Sequence, residues 1–207
     1  MAEQIVAKEE IVVVWFKRDL RFTDHEALYH AQRQSLPILL LYCFEPSVMD
    51  YPDSDVRHWR FVHQSLMEMN DKLSALKSQI YLFHSEVLPL FHSLQSNYII
   101  REIYSHQEVG NHLTFQRDLI VKKFCQQQQI TWHEYTHNAV MRGGGARSNW
   151  EKRWRSIMEH EPYLVSEDNW HLVSLASSFY DKIKGEALSL GITSHHPSFQ
   201  PGGESFA

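Results

Sequence analysis

The chain has 207 residues, 43% of them apolar, enough for one ordinary domain with a real core. Its 20 Lys and Arg stand against 25 Asp and Glu, a mildly acidic balance that argues against a main nucleic-acid platform, which carries a strong basic excess. Two cysteines, Cys43 in a strand-like run and Cys125 in a helix-like run, read as buried thiols rather than a disulfide framework, no secretory leader opens the chain, and no apolar run has the length of a membrane span, so the expected compartment is the cytoplasm.

Residues 11–15 form a continuous β-branched and apolar run, the pattern of a strand buried on both faces. A charged loop follows, and Asp24 stands where a helix over 24–34 needs its N-cap. Residues 37–44 predict a second buried strand, and a Pro-, Ser- and Asp-rich loop leads to Asp55. There Trp59, Val62, Leu66, Met69, Leu73 and Leu76 recur at spacings of three and four, the stripe of a long helix that Asp55 caps. A strand over 80–84, a helix over 86–96 with Pro89 in its first turn, a slightly charged strand over 98–105 suited to a place nearer the sheet edge, a helix over 111–129 and a strand over 130–135 complete the series.

Strands alternating with crossover helices imply an α/β fold: a doubly wound, five-stranded parallel sheet, Rossmann-like, over residues 1–136. Residues 137–207 read as a helical C-terminal extension, with a helix over 150–160 followed by an interdomain linker of little periodicity. Ligands of such sheets bind beyond the carboxyl ends of the strands, here 15–21, 44–52, 84–86 and 105–111.

Few motifs carry chemistry. The 17–21 loop is placed to touch a phosphate or a partner domain, or to pair its own Arg18, Asp19 and Arg21. His133-Glu-Tyr-Thr-His137 has the H-E-x-x-H spacing of a zinc protease, which requires both histidines one turn apart on a helix. On a strand, residues four apart lie roughly 13 Å from each other, too far to share an ion. Gly143-Gly-Gly145 precedes no Lys-Ser/Thr and follows no strand, so it reads as a turn rather than a phosphate loop. Around it Arg142, Arg147, Lys152, Arg153 and Arg155 interleave with Trp150 and Trp154, a patch for docking another domain or for stacking nucleic acid. No catalytic set and no metal site is expected.

Four segments occur in the order of one family. Trp15-Phe-Lys-Arg-Asp-Leu-Arg21 with Asp24-His-Glu-Ala-Leu28 resembles the opening of the photolyase/cryptochrome family. Tyr104-Ser-His-Gln-Glu-Val-Gly-Asn111 with Arg117-Asp118 is similar to its fourth-strand end and Arg-Asp helix. Asn138-Ala-Val-Met-Arg142 with Trp150 and Trp154, and Phe199-Gln-Pro-Gly-Gly-Glu204, resemble later family segments. The resemblance implies an N-terminal α/β domain that holds an antenna chromophore, followed in the family by a helical domain that holds FAD. That helical domain performs light-driven electron transfer, to split pyrimidine dimers in photolyases or to signal in cryptochromes. The chain ends about where that domain would begin. The implied partners are therefore the FAD domain of the same protein and, through the full-length protein, damaged DNA; no membrane partner is implied and the chain alone is not catalytic.

The resemblance places candidate antenna contacts at Phe44, Glu45, His106, Glu108, Gly110 and Asn111, with Arg18, Asp19, Arg21, Arg117 and Asp118 as interdomain or structural residues. Pterin-binding members grip the ring with a Glu ahead of the Arg-Asp helix, where a carboxylate accepts charge-assisted bonds. Glu108 in that place implies methenyltetrahydrofolate; Asn111 there leaves a flavin, deazaflavin or lumazine antenna. Two other readings are a docking module that has lost its antenna, marked by bulky side chains filling the cleft, and a stand-alone nucleotide-binding protein, which needs a glycine-rich phosphate loop.

Overall fold

The computed structural model describes residues 7–136, 149–166 and 170–206. Five strands, β1 (Glu9–Phe16), β2 (Ile38–Cys43), β3 (Tyr81–Phe83), β4 (Tyr98–His106) and β5 (Thr131–Tyr135), form one sheet in the order β3-β2-β1-β4-β5. Every pair is parallel. The charged β4 lies one strand in from the β5 edge; Arg101 on it pairs with Glu10 of β1, and Glu102 accepts from Tyr104.

Strand alternation sorts β1 and β2 between two cores. Val12, Val14 and Phe16 face one side, with Leu40 and Tyr42, and are covered by α1 (Glu26–Ala31) and α3 (Val56–Ser74). Ile11, Val13 and Trp15 face the other, with Leu39 and Leu41, under α4 (Val87–Leu94) and α5 (His112–Gln128). The chain winds outward from β1 to β3 with its helices on one face, then returns past β1 to β4 with its helices on the other. The reversal between β1 and β4 is the switch point of the sheet. A short helix, α2 (Pro46–Met49), follows β2.

Asp55 caps α3 as expected, accepting from the backbone N–H of Arg57 at 2.9 Å. The first helix is shorter than its expected span, and Asp24 does not cap it. Asp24 sits in the turn with φ 50°, its carboxylate accepting instead from the Tyr163 N–H at 2.9 Å. The cap is His25, whose Nδ1 accepts from the Leu28 N–H at 3.0 Å. An imidazole nitrogen does the work usually done by a carboxylate or hydroxyl oxygen.

The segment read as a linker is a strap laid along the sheet. Beyond α6 (Trp150–Met158), Leu172 bridges to Ile38 at the start of β2, and Val173 and Leu175 are buried. Next, α7 (Ser177–Ile183) brings the Tyr180 hydroxyl to the Leu82 carbonyl at 2.8 Å, and Gly185 bridges to His84. In α8 (Leu190–Thr193), Ile192 is buried beside α3, where Arg60 donates twice to the Gly191 carbonyl. Gly202 closes on α3 so tightly that a Cβ there would lie 2.0 Å from the Phe61 carbonyl oxygen. Single buried residues spaced along an extended strap leave no helical or strand period in the sequence.

Candidate functional site

The loop after β1 and the loop after β4 meet at the switch point. Asp19, 1% exposed, is the knot between them. Its Oδ1 accepts from the Lys17 backbone N–H at 2.8 Å; its Oδ2 lies 2.6 Å from His106 Nδ1 and 2.8 Å from His25 Nε2. Burial pushes this carboxyl up, but the bonds from His106 and His25 outweigh it and hold the group well below its ordinary range. Burial pushes the His25 imidazole down against the opposing pull of Asp19. The three ligand-type atoms lie within 4.8 Å of one another, close enough to suggest an ion. The cap bond excludes that arrangement: with Nδ1 of His25 accepting from Leu28, the ring's one proton is on Nε2, leaving no lone pair toward Asp19 for a metal. The three residues form a hydrogen-bonded tie between the β1 and β4 loops.

A second cluster rests on Trp15. Arg117, on the first half of α5, stacks 4.8 Å from the Trp15 ring centroid and binds Glu45, Glu108 Oε2 at 2.6 Å and Asp118 Oδ1 at 2.9 Å. Lys17 Nζ lies 4.1 Å above the same indole and 3.4 Å from Asp118. Burial pushes this ammonium down, and Asp118 offsets part of the effect. Burial pushes Glu108 up, but Arg117 overrides it and the carboxyl sits below its usual range. Its other oxygen accepts from Arg18 Nε at 3.0 Å, while the Arg18 side chain itself is 62% exposed.

Glu45, at the carboxyl end of β2, is different. It is 4% exposed; Oε1 accepts from Arg117, and Oε2 is buried with no hydrogen-bond partner among the described residues. Burial pushes its carboxyl up to about 7, more than Arg117 pulls it down, with Glu86 and Glu108 adding repulsion.

Above these groups opens a cavity of about 650 Å³, bordered by Tyr42, Glu45, Trp59, Phe61, Glu108 and Arg117 among others. Trp59 stands in the first turn of α3, its Nε1 donating to Ser54 Oγ at 2.6 Å. The cavity brings together Arg18, Arg21, Glu45, Glu108, Asn111 and Arg117 of the expected residues. Arg21 also ties the turn below it, donating to the Thr23 and Asp24 carbonyls. Asn111 caps α5, accepting from the Thr114 N–H at 3.1 Å.

Phe44, His106 and Gly110 lie off the cavity wall. Phe44 is fully buried in the core beneath α3, and His106 is bound into the Asp19 knot. Gly110 packs so that a Cβ would lie 2.5 Å from Thr114 Oγ1 and 3.2 Å from Glu108 Oε1. Trp59 and Tyr42 were legible only as core positions; the signal that separates Trp59 from the rest of its stripe is its place one turn past the Asp55 cap, at the ligand edge of the sheet.

Residues 133–135 of the H-E-x-x-H run lie in β5, with His133 stacked 4.5 Å from Tyr104 and bonded to Glu102; His137 lies outside the described residues. So do Gly143-Gly-Gly145, Arg142, Arg147 and the segment 138–142. Trp150 and Trp154 stack on each other at 6.2 Å on the exposed α6. No helix among the described residues is long and apolar enough to cross a membrane.

A doubly wound parallel sheet, with a cleft at the carboxyl ends of its strands walled by α3, defines a Rossmann-like α/β domain. The sequence model of the DNA photolyase family matches residues 12–158, and the chain belongs to that family, as its N-terminal domain. Cryptochrome-1 of Sinapis alba is 28% identical over 135 residues, which cover 64% of this chain and 26% of that protein. Cryptochrome DASH of Synechocystis is 28% identical over 118 residues, covering 53% and 24%. The chain thus spans about a quarter of the length of these curated relatives. The fold is that of the archaeal photolyase from Sulfolobus tokodaii, solved with two FAD molecules (TM-score 0.65, 18% identity, 93% of this chain and 44% of that one). It is also that of the Synechocystis cryptochrome (TM-score 0.61, 17% identity, 81% and 38%).

Proposed function

We propose that this chain is the light-collecting domain of a photolyase or cryptochrome: it holds an antenna chromophore in the switch-point cavity and hands the absorbed energy to FAD in a helical domain of the same protein. The observation that carries the reading is the cavity itself. Its volume of about 650 Å³ lies in the range of cofactor pockets, and its wall combines aromatic side chains with Glu45, Glu108 and Arg117. A docking module that had lost its antenna would fill this space with bulky side chains; here it is open.

When bound, the chromophore supplies light absorption; the chain supplies its position. Energy transfer demands a fixed distance and orientation, and the Asp19 knot and the Arg117 cluster tie the two loops under the cavity to the sheet. Trp59 and Phe61 of α3 offer an aromatic flank for a planar ring, while Arg18 presents a charged, exposed head at the rim. Repair of damaged DNA, or blue-light signalling, would then belong to the whole protein, in the cytoplasm.

The test is pigment content. The chain, incubated with riboflavin, FMN and methenyltetrahydrofolate in turn and freed of excess ligand, is expected to retain one of them, seen as a visible or near-ultraviolet band. Retention of none overturns the reading.

A further inference from the structure

We infer that His25 is an acid-sensitive latch: α1, and the strap residues docked on it, hold their place only while Nδ1 of the His25 imidazole carries no proton. Both ring nitrogens are committed. Nε2 lies 2.8 Å from Asp19 Oδ2 and directs the ring's one proton toward it. Nδ1 accepts from the Leu28 N–H at 3.0 Å and so closes the first turn of α1. A second proton can enter only at Nδ1, which holds the one remaining lone pair of the ring. It would set an N–H against the Leu28 N–H. The charged ring and the capped helix are therefore mutually exclusive. The cap of α5 is free of this conflict: Asn111 accepts from the Thr114 N–H through an amide oxygen, which does not titrate.

The cap holds more than one turn. With six residues, α1 is too short to stand without its fastenings. Strap residues lie along it: the Tyr163 N–H donates to Asp24, the Tyr163 hydroxyl donates to Glu26, and Gln32 exchanges two bonds with the Ser166 backbone. His30 stacks at 5.0 Å on Tyr135 of the border strand β5. Loosening α1 loosens each of these contacts. Among the described residues, the charged groups around the ring set where this happens. Burial keeps the second proton off; Asp19 pulls it on; His106 at the end of β4 and Arg21 in the loop after β1 push it off again. On α1 itself, Glu26 and His30 face each other at 4.0 Å. The balance lies below histidine's ordinary 6.5, so the latch is shut at neutral pH and opens in acid. Between 6.5 and the folded value the open form holds one more proton than the closed form, so opening rises by up to about tenfold per pH unit. The latch belongs to the fold and works with or without a chromophore.

The experiment is amide hydrogen exchange by NMR on the full chain, each rate divided by that of an unstructured peptide at the same pH. In wild type the protection of Leu28 and Tyr29 is expected to fall by up to about tenfold per pH unit below 6.5, while that of Thr114 stays level. In His25→Asn, whose amide oxygen accepts without titrating, the protection of Leu28 stays level over the same range. The comparison of Leu28 with Thr114 is made within wild type, so it reads out even if the variant fails to fold. Ring nitrogen shifts of His25 are expected to show an unprotonated Nδ1 for as long as Leu28 is protected. A doubly protonated ring beside a protected Leu28 overturns the latch, as does level protection of Leu28 in wild type. Loss of protection at Leu28 and Thr114 together, the mark of whole-molecule unfolding in acid, overturns it as well.

Discussion

The ends of β1 and β2 lie side by side, yet their buried carboxylates are treated differently. Asp19, after β1, is met on both oxygens and holds its proton loosely. Glu45, after β2, is met on one and holds its proton tightly. The first is a structural tie; the second is a vacancy in the hydrogen-bond accounting of the fold. A buried charge therefore says little about function until its unspent valences are counted.

The sharpest way to break this contrast is Asp19→Asn. Removing one member of a buried ion network costs about 3–5 kcal/mol, read as a large drop in the thermal midpoint at neutral pH. Because the Asp19 carboxyl is held below its usual 3.8, its stabilisation is present above that value and is lost as pH falls toward the folded value. The gap between variant and wild type is accordingly expected to shrink in acid; a gap that is absent at neutral pH removes the tie.

Glu45→Gln should behave with the opposite sign. The folded value of about 7 lies above the ordinary 4.5, so ionising Glu45 erodes stability as pH rises between the two. Glutamine does not ionise. The variant should gain on wild type by roughly 2 kcal/mol between about pH 5 and about pH 8 in denaturant titrations. A pH-independent difference would mean Oε2 is satisfied.

Asp55→Ala, at the start of the α3 wall, is expected to cost about 1 kcal/mol by loss of the cap and to weaken chromophore uptake only through the wall. Smallest of all is Lys17→Met. Asp118 keeps two bonds from Arg117, and a buried apolar chain replaces a desolvated ammonium, so stability should move by less than about 1 kcal/mol. A loss several times larger would make Lys17 as much a tie as Asp19.

The sheet was legible because β1 and β2 are buried on both faces and read as unbroken apolar runs, and because α3 carries a clean stripe. The cleft was legible from where strands end. The His25 cap was hidden, since a carboxylate beside it satisfies the usual rule and only the backbone turn at Asp24 disqualifies it. The open valence of Glu45 was also hidden. Its neighbours in space, Arg117 and Glu108, come from another strand–helix unit more than sixty residues away, and no local pattern records which oxygen they leave alone.

One consequence of the strap concerns self-association. Strand β3 is three residues long and forms the border of the sheet, where unpaired peptide groups invite another chain to add on. The strap occupies that border: the His84 N–H donates to the Lys184 carbonyl at 2.8 Å, and Gly185, at φ 81°, lies where any Cβ would strike the His84 carbonyl oxygen at 2.1 Å. A single hydrogen in place of a side chain thus lets the polypeptide hem its own raw margin, and keeps one molecule from being stitched to the next.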